Sequence, residues 1–420
     1  MALNSWIKPD NRIIPPPREQ YLLSLRPIKA GYLRFEVSLQ RYLTHRTIWF
    51  LVAFSGTVLS CSLHAKPRLS GYYEPSLRLY NLQSGDKTQL ENRLRSDLKA
   101  SISPGVGFCA DVVFQAFSGV KSLEYNDFLP EHLASYGALL PPIEFEDRIF
   151  LDNAYVSFTA GGLDLRLGRQ PISYGTAYLY NPTDLVNLKQ TFDPTYEKPG
   201  VDALRIQYFY RGSGNVELVA IPGEELENWD LAVRIRERLF HFDTSALFVI
   251  KRDTLAFSAE NRRAVGWTFV GSLLGLGVWG EGAYNWMEST RDFSSYVLGL
   301  DYTLNSGLYL MCEYYRDELG GTGIEEYDLF DWMRIMQQGG SLGRDRLFIG
   351  GNYPFTSLWK GALFGIINLN DHSFALNPWV YWYFRENVEI DITASLPWGD
   401  EASEFGEIPR AGLFRVRVYF

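Results

Sequence analysis

Few side chains in this sequence are spaced for covalent chemistry. Residues 66–420 contain three histidines, His132, His241 and His372. Two fall in stretches that read as loops and His241 lies next to a turn; none shows an evident pairing with a serine nucleophile and an acid of the kind that activation requires. Gly320-Gly321-Thr322-Gly323 lacks the lysine and the strand–helix context of a phosphate-binding loop. Cys61, Cys109 and Cys312 offer neither a ligand spacing nor a disulfide geometry, with Cys109 and Cys312 expected on opposite faces of a wall. These residues point to no enzyme, no cofactor and no metal. What remains is the chemistry of fixed charge. Arg93, Arg95, Arg166, Arg205, Arg234 and Arg236 come from the first half of the chain and Arg415 and Arg417 from its end, whereas Glu281, Asp301 and Glu313 come from the region between. If all of them face one aqueous interior, that separation sets up a transverse field that orients polar solutes and selects among ions. The competing arrangement is a filled interior in which opposite charges pair.

The elements that would position such groups are strands. From Gly71 onward the dominant period is two. Leu90, Asn92, Leu94, Ser96, Leu98, Ala100 and Ile102 alternate with Glu91, Arg93, Arg95, Asp97, Lys99 and Ser101, so one face is mainly apolar and the other almost wholly charged. Shorter runs repeat the pattern at Leu163–Leu167, Leu231–Ile235 and Val388–Leu396. The longer runs, from Leu90 and over Val388–Leu396, reach the roughly 9–11 residues that a tilted strand needs to cross a bilayer. An aromatic content of 15% beside 21% charged residues suits a wall that is greasy outside and polar inside.

The connections alternate between short and long, as the two ends of an outer-membrane barrel require. Short links read at Ser103-Pro104-Gly105, Gly161-Gly162, Arg211 to Gly214, Glu237-Arg238, Leu274-Gly275, Asn305-Ser306-Gly307, Pro354 to Leu358 and Arg385-Glu386-Asn387. Three long connections fall at about 119–148, 171–200 and 316–343. The fold class expected is therefore all-β, a transmembrane antiparallel β-barrel of about 18 strands (16–18) over residues 66–420, with both ends on the turn side. Within the third long connection, Ile324 to Gln338 reads as a helix with early acids and a glycine stop at Gly339-Gly340. Its carboxylates read as a solvated acidic face, with a divalent-ion site as the alternative.

Residues 1–65 read as a leader with a secretory signal peptide. Arg41 and Arg46 precede an apolar core at about 48–59, and Leu63-His64-Ala65 offers a cleavage site before Lys66-Pro67. The core is short for a spanning helix, and Leu59-Ser60-Cys61 is a poor lipidation box. The net charge is -9; the leader holds eight Lys and Arg against three Asp and Glu, so the remaining 32 basic and 46 acidic groups give -14. Nucleic acid is disfavoured as a partner by that sign.

Two resemblances follow from these residues. The ending Leu413-Phe414-Arg415-Val416-Arg417-Val418-Tyr419-Phe420 resembles the C-terminal signal of Gram-negative outer-membrane proteins at Phe414, Val416, Val418 and Phe420. It implies recognition by the barrel-assembly machinery. Gly168-Arg169-Gln170-Pro171-Ile172-Ser173-Tyr174-Gly175 followed by Asn181-Pro182-Thr183-Asp184 resembles the Gly-Arg-Gln…Asn-Pro-Thr-Asp pattern of Gram-negative porin-like barrels, some of them near alginate-export barrels. It implies a pore fold without naming a substrate. Arg169, Gln170, Asn181 and Asp184 are the candidates for shaping the loop that follows, which either folds into the lumen as a constriction or caps the rim.

The function expected is an outer-membrane porin-like channel for small polar or anionic solutes, with the lipid bilayer and the barrel-assembly machinery as partners and self-association left open. The alternatives are an export barrel for an anionic polysaccharide, a non-conducting structural or adhesion barrel, and an outer-membrane lipid-modifying enzyme.

Overall fold

A computed structural model of the chain describes residues 66–420, apart from 138, 139, 141, 188–197, 211–213, 224–227 and 256–257. The expected leader and its cut after Ala65 lie outside the described residues, as does most of the link expected at Arg211 to Gly214.

Eighteen strands form the wall. They are β1 (Arg68–Leu82), β2 (Gly85–Ser103), β3 (Val106–Gly119), β4 (Arg148–Ala160), β5 (Leu163–Gln170), β6 (Val201–Tyr210), β7 (Gly214–Ile221), β8 (Asp230–Leu239) and β9 (Phe242–Leu255). They continue as β10 (Ser258–Leu273), β11 (Leu276–Met287), β12 (Phe293–Thr303), β13 (Tyr309–Asp317), β14 (Asp345–Pro354), β15 (Trp359–Asn368), β16 (Phe374–Arg385), β17 (Val388–Trp398) and β18 (Arg410–Tyr419). Every strand pairs antiparallel with its neighbours in sequence, and β18 closes on β1 with Phe414 opposite Leu77.

The wall is polar inside and apolar outside. On β2, Leu90, Leu94 and Leu98 are exposed while the alternating Glu91 and Arg93 are buried. Val112 and Phe114 on β3, Leu231, Val233 and Ile235 on β8, and Leu298 and Leu300 on β12 extend the exposed apolar face around the barrel. A water-soluble sheet would carry the opposite assignment. Burying charge while exposing leucine is stable only where lipid bathes the outer face, and closure leaves no sheet edge unpaired in that lipid. Cys109 lies on the inner face, beside Asp111, and Cys312 alternates with the inward Glu313.

The turns follow local chemistry. Gly105 and Gly161 supply the left-handed conformation at the β2–β3 and β4–β5 links. One expected link is displaced: Glu237-Arg238 is not a turn, because β8 and β9 keep pairing past it through Arg238↔Asp243 and Leu239↔Phe242, and the reversal falls at Phe240-His241. Both chain ends of the barrel lie on the turn side.

Two connections on the opposite side carry helices and pack together. In the β13–β14 connection, α1 (Leu329–Gln338) begins at Asp328, whose carboxylate accepts from the Phe330 and Asp331 amides at 2.9 and 3.0 Å, while Asp331 accepts from the Asp328 amide at 3.3 Å. This reciprocal cap starts the helix, and Gly339 at φ 74° ends it. Trp332 and Ile335 of α1 pack with Tyr327 and Leu342, and with Leu129 and Leu133 of the β3–β4 connection. Around the ring, β3 and β13 are ten strands apart in one direction and eight in the other. The two connections therefore meet from opposite sides of one mouth and bridge it.

Candidate functional site: the lumen and its inward loop

β5 is short, and that shortness directs the chain inward. It stops at Gln170, which pairs with Val201 at the start of β6. The neighbouring β4 continues upward from that level to Arg148. The connection thus leaves the wall below the rim, and its described first part, residues 171–187, runs along the inner face.

Four residues shape its start. Arg169 clamps Asp202 through two bonds of 3.1 and 2.6 Å, and Gln170, wholly buried, donates to the Ala203 carbonyl at 3.0 Å. The Asn181 carbonyl accepts from the Asp184 amide at 3.0 Å, a turn of the kind that Asn-Pro-Thr-Asp favours. The Asp184 carboxylate then gathers the loop, accepting from the amides of Tyr174 and Gly175 at 2.6 and 3.0 Å, from the Ser173 hydroxyl and from Lys198.

The wall holds the loop through carboxylates far away in sequence. Glu281 on β11 accepts from the Thr176 amide at 2.8 Å and the Thr183 hydroxyl at 2.9 Å. Glu313 on β13 accepts from the amides of Tyr178 and Leu179 at 2.7 and 3.2 Å and from the Trp279 indole at 2.7 Å. Both are buried. Asp301 accepts from the Tyr309 hydroxyl, which lies 2.9 Å from that of Tyr178. Lys251 on β9 donates to the Leu185 carbonyl at 2.9 Å. Apolar contacts add to this, with Ile172, Tyr174 and Leu185 packing against Val219, Ala232 and Val249 of the wall. Because the backbone amides find partners in the wall, the loop costs little unsatisfied polarity in its buried position.

The arginines do not form a separate basic wall. Arg95 donates to Asp97, Asp111 and Asp152 at 2.7, 2.9 and 2.5 Å. Arg205 and Arg234 share Glu217 at 3.1 and 2.8 Å, and the Tyr174 ring lies 4.9 Å below the Arg234 guanidinium. Arg166 pairs with Asp164 at 3.0 Å. Arg236, near a turn and half exposed, lies 3.6 Å from Asp243. On the closing strand, Arg415 meets Asp391 and Arg417 meets Glu74, each at 2.5 Å. Arg93, buried on β2, faces inward opposite Glu74 and Gln115 in the adjoining strands. The charge separation expected from the sequence is corrected accordingly. Acids are interleaved with the arginines, because neighbouring strands bring Asp111, Asp152 and Glu217 onto the same inner face. Glu281 and Glu313 are covered by the loop rather than facing it across open water.

Sequence reasoning also missed Arg346 on β14. It is buried, pairs with Glu404 of the β17–β18 connection and donates to the Tyr180 hydroxyl of the inward loop. Tyr180 stacks on Tyr315 with ring centroids 4.4 Å apart. Glu404 accepts in turn from Asn368 at 2.9 Å and from the Leu342 amide at 3.3 Å. One guanidinium thus joins the inward loop to the outer connections. The inward parity of Arg346 on an alternating strand was a signal available in the sequence; its partners were not.

No family model matches the chain, and no curated protein matches it either. Among solved structures the chain is similar to Pseudomonas aeruginosa OccK9 (OpdG), with 9% identity, a TM-score of 0.57, and 84% of this chain and 98% of that one covered. It is similar to P. aeruginosa OccK5 (OpdH), with 7% identity, a TM-score of 0.55 and coverage of 84% and 98%. Acinetobacter baumannii OccAB1 gives 11% identity, a TM-score of 0.54 and coverage of 84% and 96%. At these identities the likeness concerns the fold, a closed 18-stranded antiparallel barrel of the outer-membrane porin type.

Proposed function

We propose that the protein is an outer-membrane channel for small polar or anionic solutes, with the 171–200 loop as its constriction and no chemistry of its own. The observation that carries this reading is the loop fastened to the inner wall by Glu281 and Glu313. Eighteen strands spaced about 4.8 Å apart enclose an interior roughly 30 Å across, too wide for wall side chains to fill. A loop held against one side narrows such an interior without closing it. In this reading Arg93, Arg95 and Arg166 line the remaining passage together with their acids, while Arg169, Gln170, Asn181 and Asp184 set the loop's course. The Gly-Arg-Gln…Asn-Pro-Thr-Asp likeness to porin-like barrels agrees with that division of labour. The test is single-channel recording of the purified protein in planar bilayers. Discrete conductance steps that grow when Glu313 is replaced by Ala, which frees the loop, support the channel; steps unchanged in Glu313→Ala remove the loop as the constriction. The bridged mouth favours a second reading, a barrel that does not conduct at rest. Absence of any steps from folded protein would establish it.

Delivery is part of the same proposal. Residues 1–65 act as a leader cut after Ala65, so amino-terminal sequencing of outer-membrane material is expected to begin at Lys66 or within a few residues; an intact leader or a lipid on Cys61 refutes it. Phe414, Val416, Val418 and Phe420 serve as the recognition strand for the barrel-assembly machinery. Deleting Phe420 is expected to lower the yield of heat-modifiable, folded barrel, and an unchanged yield removes that role.

A further inference from the structure

The turn-side rim is uneven. The β8–β9 and β10–β11 turns project Phe240 and Leu274, which are 94% and 95% exposed. Both sit in the left-handed region, at φ 55° and 54°. At such a position asparagine or glycine is conformationally easier and better solvated, yet a large apolar residue stands there twice. Further along the same arc, Leu304 flanks the β12–β13 turn, and Phe355 and Leu358 lie in the β14–β15 turn, all exposed. The opposing arc differs at its tips: its described turns carry Pro104-Gly105, Gly161-Gly162 and Glu386-Asn387, and apart from the terminal Phe420 its exposed apolar residues, such as Leu69, Phe209 and Phe384, lie on the strands. The apolar tips adjoin Leu239 and Leu273, exposed strand residues at the margin of the lipid-facing belt. They therefore continue that belt past the end of the wall.

We infer that the turn-side rim from β8 to β15 is embedded in the adjacent lipid leaflet, and that the barrel spans the membrane tilted toward that side. The occupant is lipid because the patch is continuous with a surface that lipid already covers and runs along half the rim, where a bilayer boundary would lie. Phe and Leu at tips placed in the interfacial layer are removed from water without any partner protein.

The experiment uses the full chain with Cys61, Cys109 and Cys312 replaced by Ser. An environment-sensitive thiol fluorophore is placed by Phe240→Cys, Leu274→Cys or, on the opposing arc, Glu386→Cys. Folded protein, identified by its heat-modifiable mobility, is reconstituted into phosphatidylcholine vesicles with or without brominated acyl chains. Quenching at 240 and 274 is expected to exceed that at 386 several-fold. Equal quenching overturns the tilt. Quenching at 240 that vanishes as the protein-to-lipid ratio rises means a second copy covers the patch, and also overturns it. Where a labelled variant does not fold, the same fluorophore at the neighbouring exposed turn positions, His241→Cys and Asn387→Cys, gives the same comparison with Phe240 retained. The result does not depend on conductance, so failure of the channel reading and failure of the tilt are separately visible.

Discussion

Arg95 shows how a lumen charge acts through its neighbours. It is the shared partner of Asp97, Asp111 and Asp152, so one guanidinium stands among three carboxylates. Net charge over the whole chain says little about such a site, since fields are screened beyond a Debye length of about 8 Å at physiological salt. Removing the cation leaves the acids uncompensated. Arg95→Gln is expected to shift the reversal potential toward cations in a salt gradient and to weaken the folded barrel by on the order of 2 kcal/mol through lost charge-assisted bonds, read as a lower urea midpoint. A shift in selectivity with no loss of stability would mean that the acids find other partners. The sequence left open whether these arginines face an aqueous interior or pair within it; Arg95 is paired.

Among the elements, α1 carries a built-in response to pH. Asp331 lies half-buried in the first turn of the helix beside the Asp328 carboxylate, and burial, with that neighbouring charge, pushes its carboxyl up to about 6 from an ordinary 3.8. A carboxyl raised in the folded loop favours the neutral form there. Its contribution to stability is full below 3.8 and is lost as pH rises through about 6. Acidification from pH 7 to pH 4 is therefore expected to slow amide exchange across residues 329–338. Asp331→Asn, which keeps an oxygen to accept from the Asp328 amide, is expected to flatten that dependence. If exchange in the variant still tracks pH over the same window after correction for intrinsic rates, another group is responsible. The existence of this helix was legible because acids at its start and glycines at its end are local signals. Its packing partner, the β3–β4 connection, was not.

For the molecule as a whole, the mouth is bridged by two connections from opposite sides of its rim. Trp332 is the largest fully buried side chain where they meet. Trp332→Ala removes a ring whose loss from a packed core typically costs about 3–5 kcal/mol, and among the described residues no strand of the wall contributes an apolar side chain to that cluster. The expected outcome is rapid protease cleavage within 120–147 and 318–344 while the heat-modifiable barrel band persists. Loss of the barrel band itself would show that the cap and the wall fold as one unit.

The sequence by itself determined the wall: the strands, their inward and outward faces, their even number and the sides on which turns and loops lie. Lipid on one face and water on the other impose a two-residue period that any short stretch displays, and turns are set by a few adjacent residues. The course of the chain after Gln170 and the choice of which charges neutralise each other came from tertiary contacts. Glu281 lies 105 residues from Thr176, Glu313 lies 135 from Tyr178, and Asp152 lies 57 from Arg95. Such partners meet only after the register of the intervening strands and the closure of the ring have been set. A pattern of alternation reveals that a side chain points inward; it carries no record of what it will meet there.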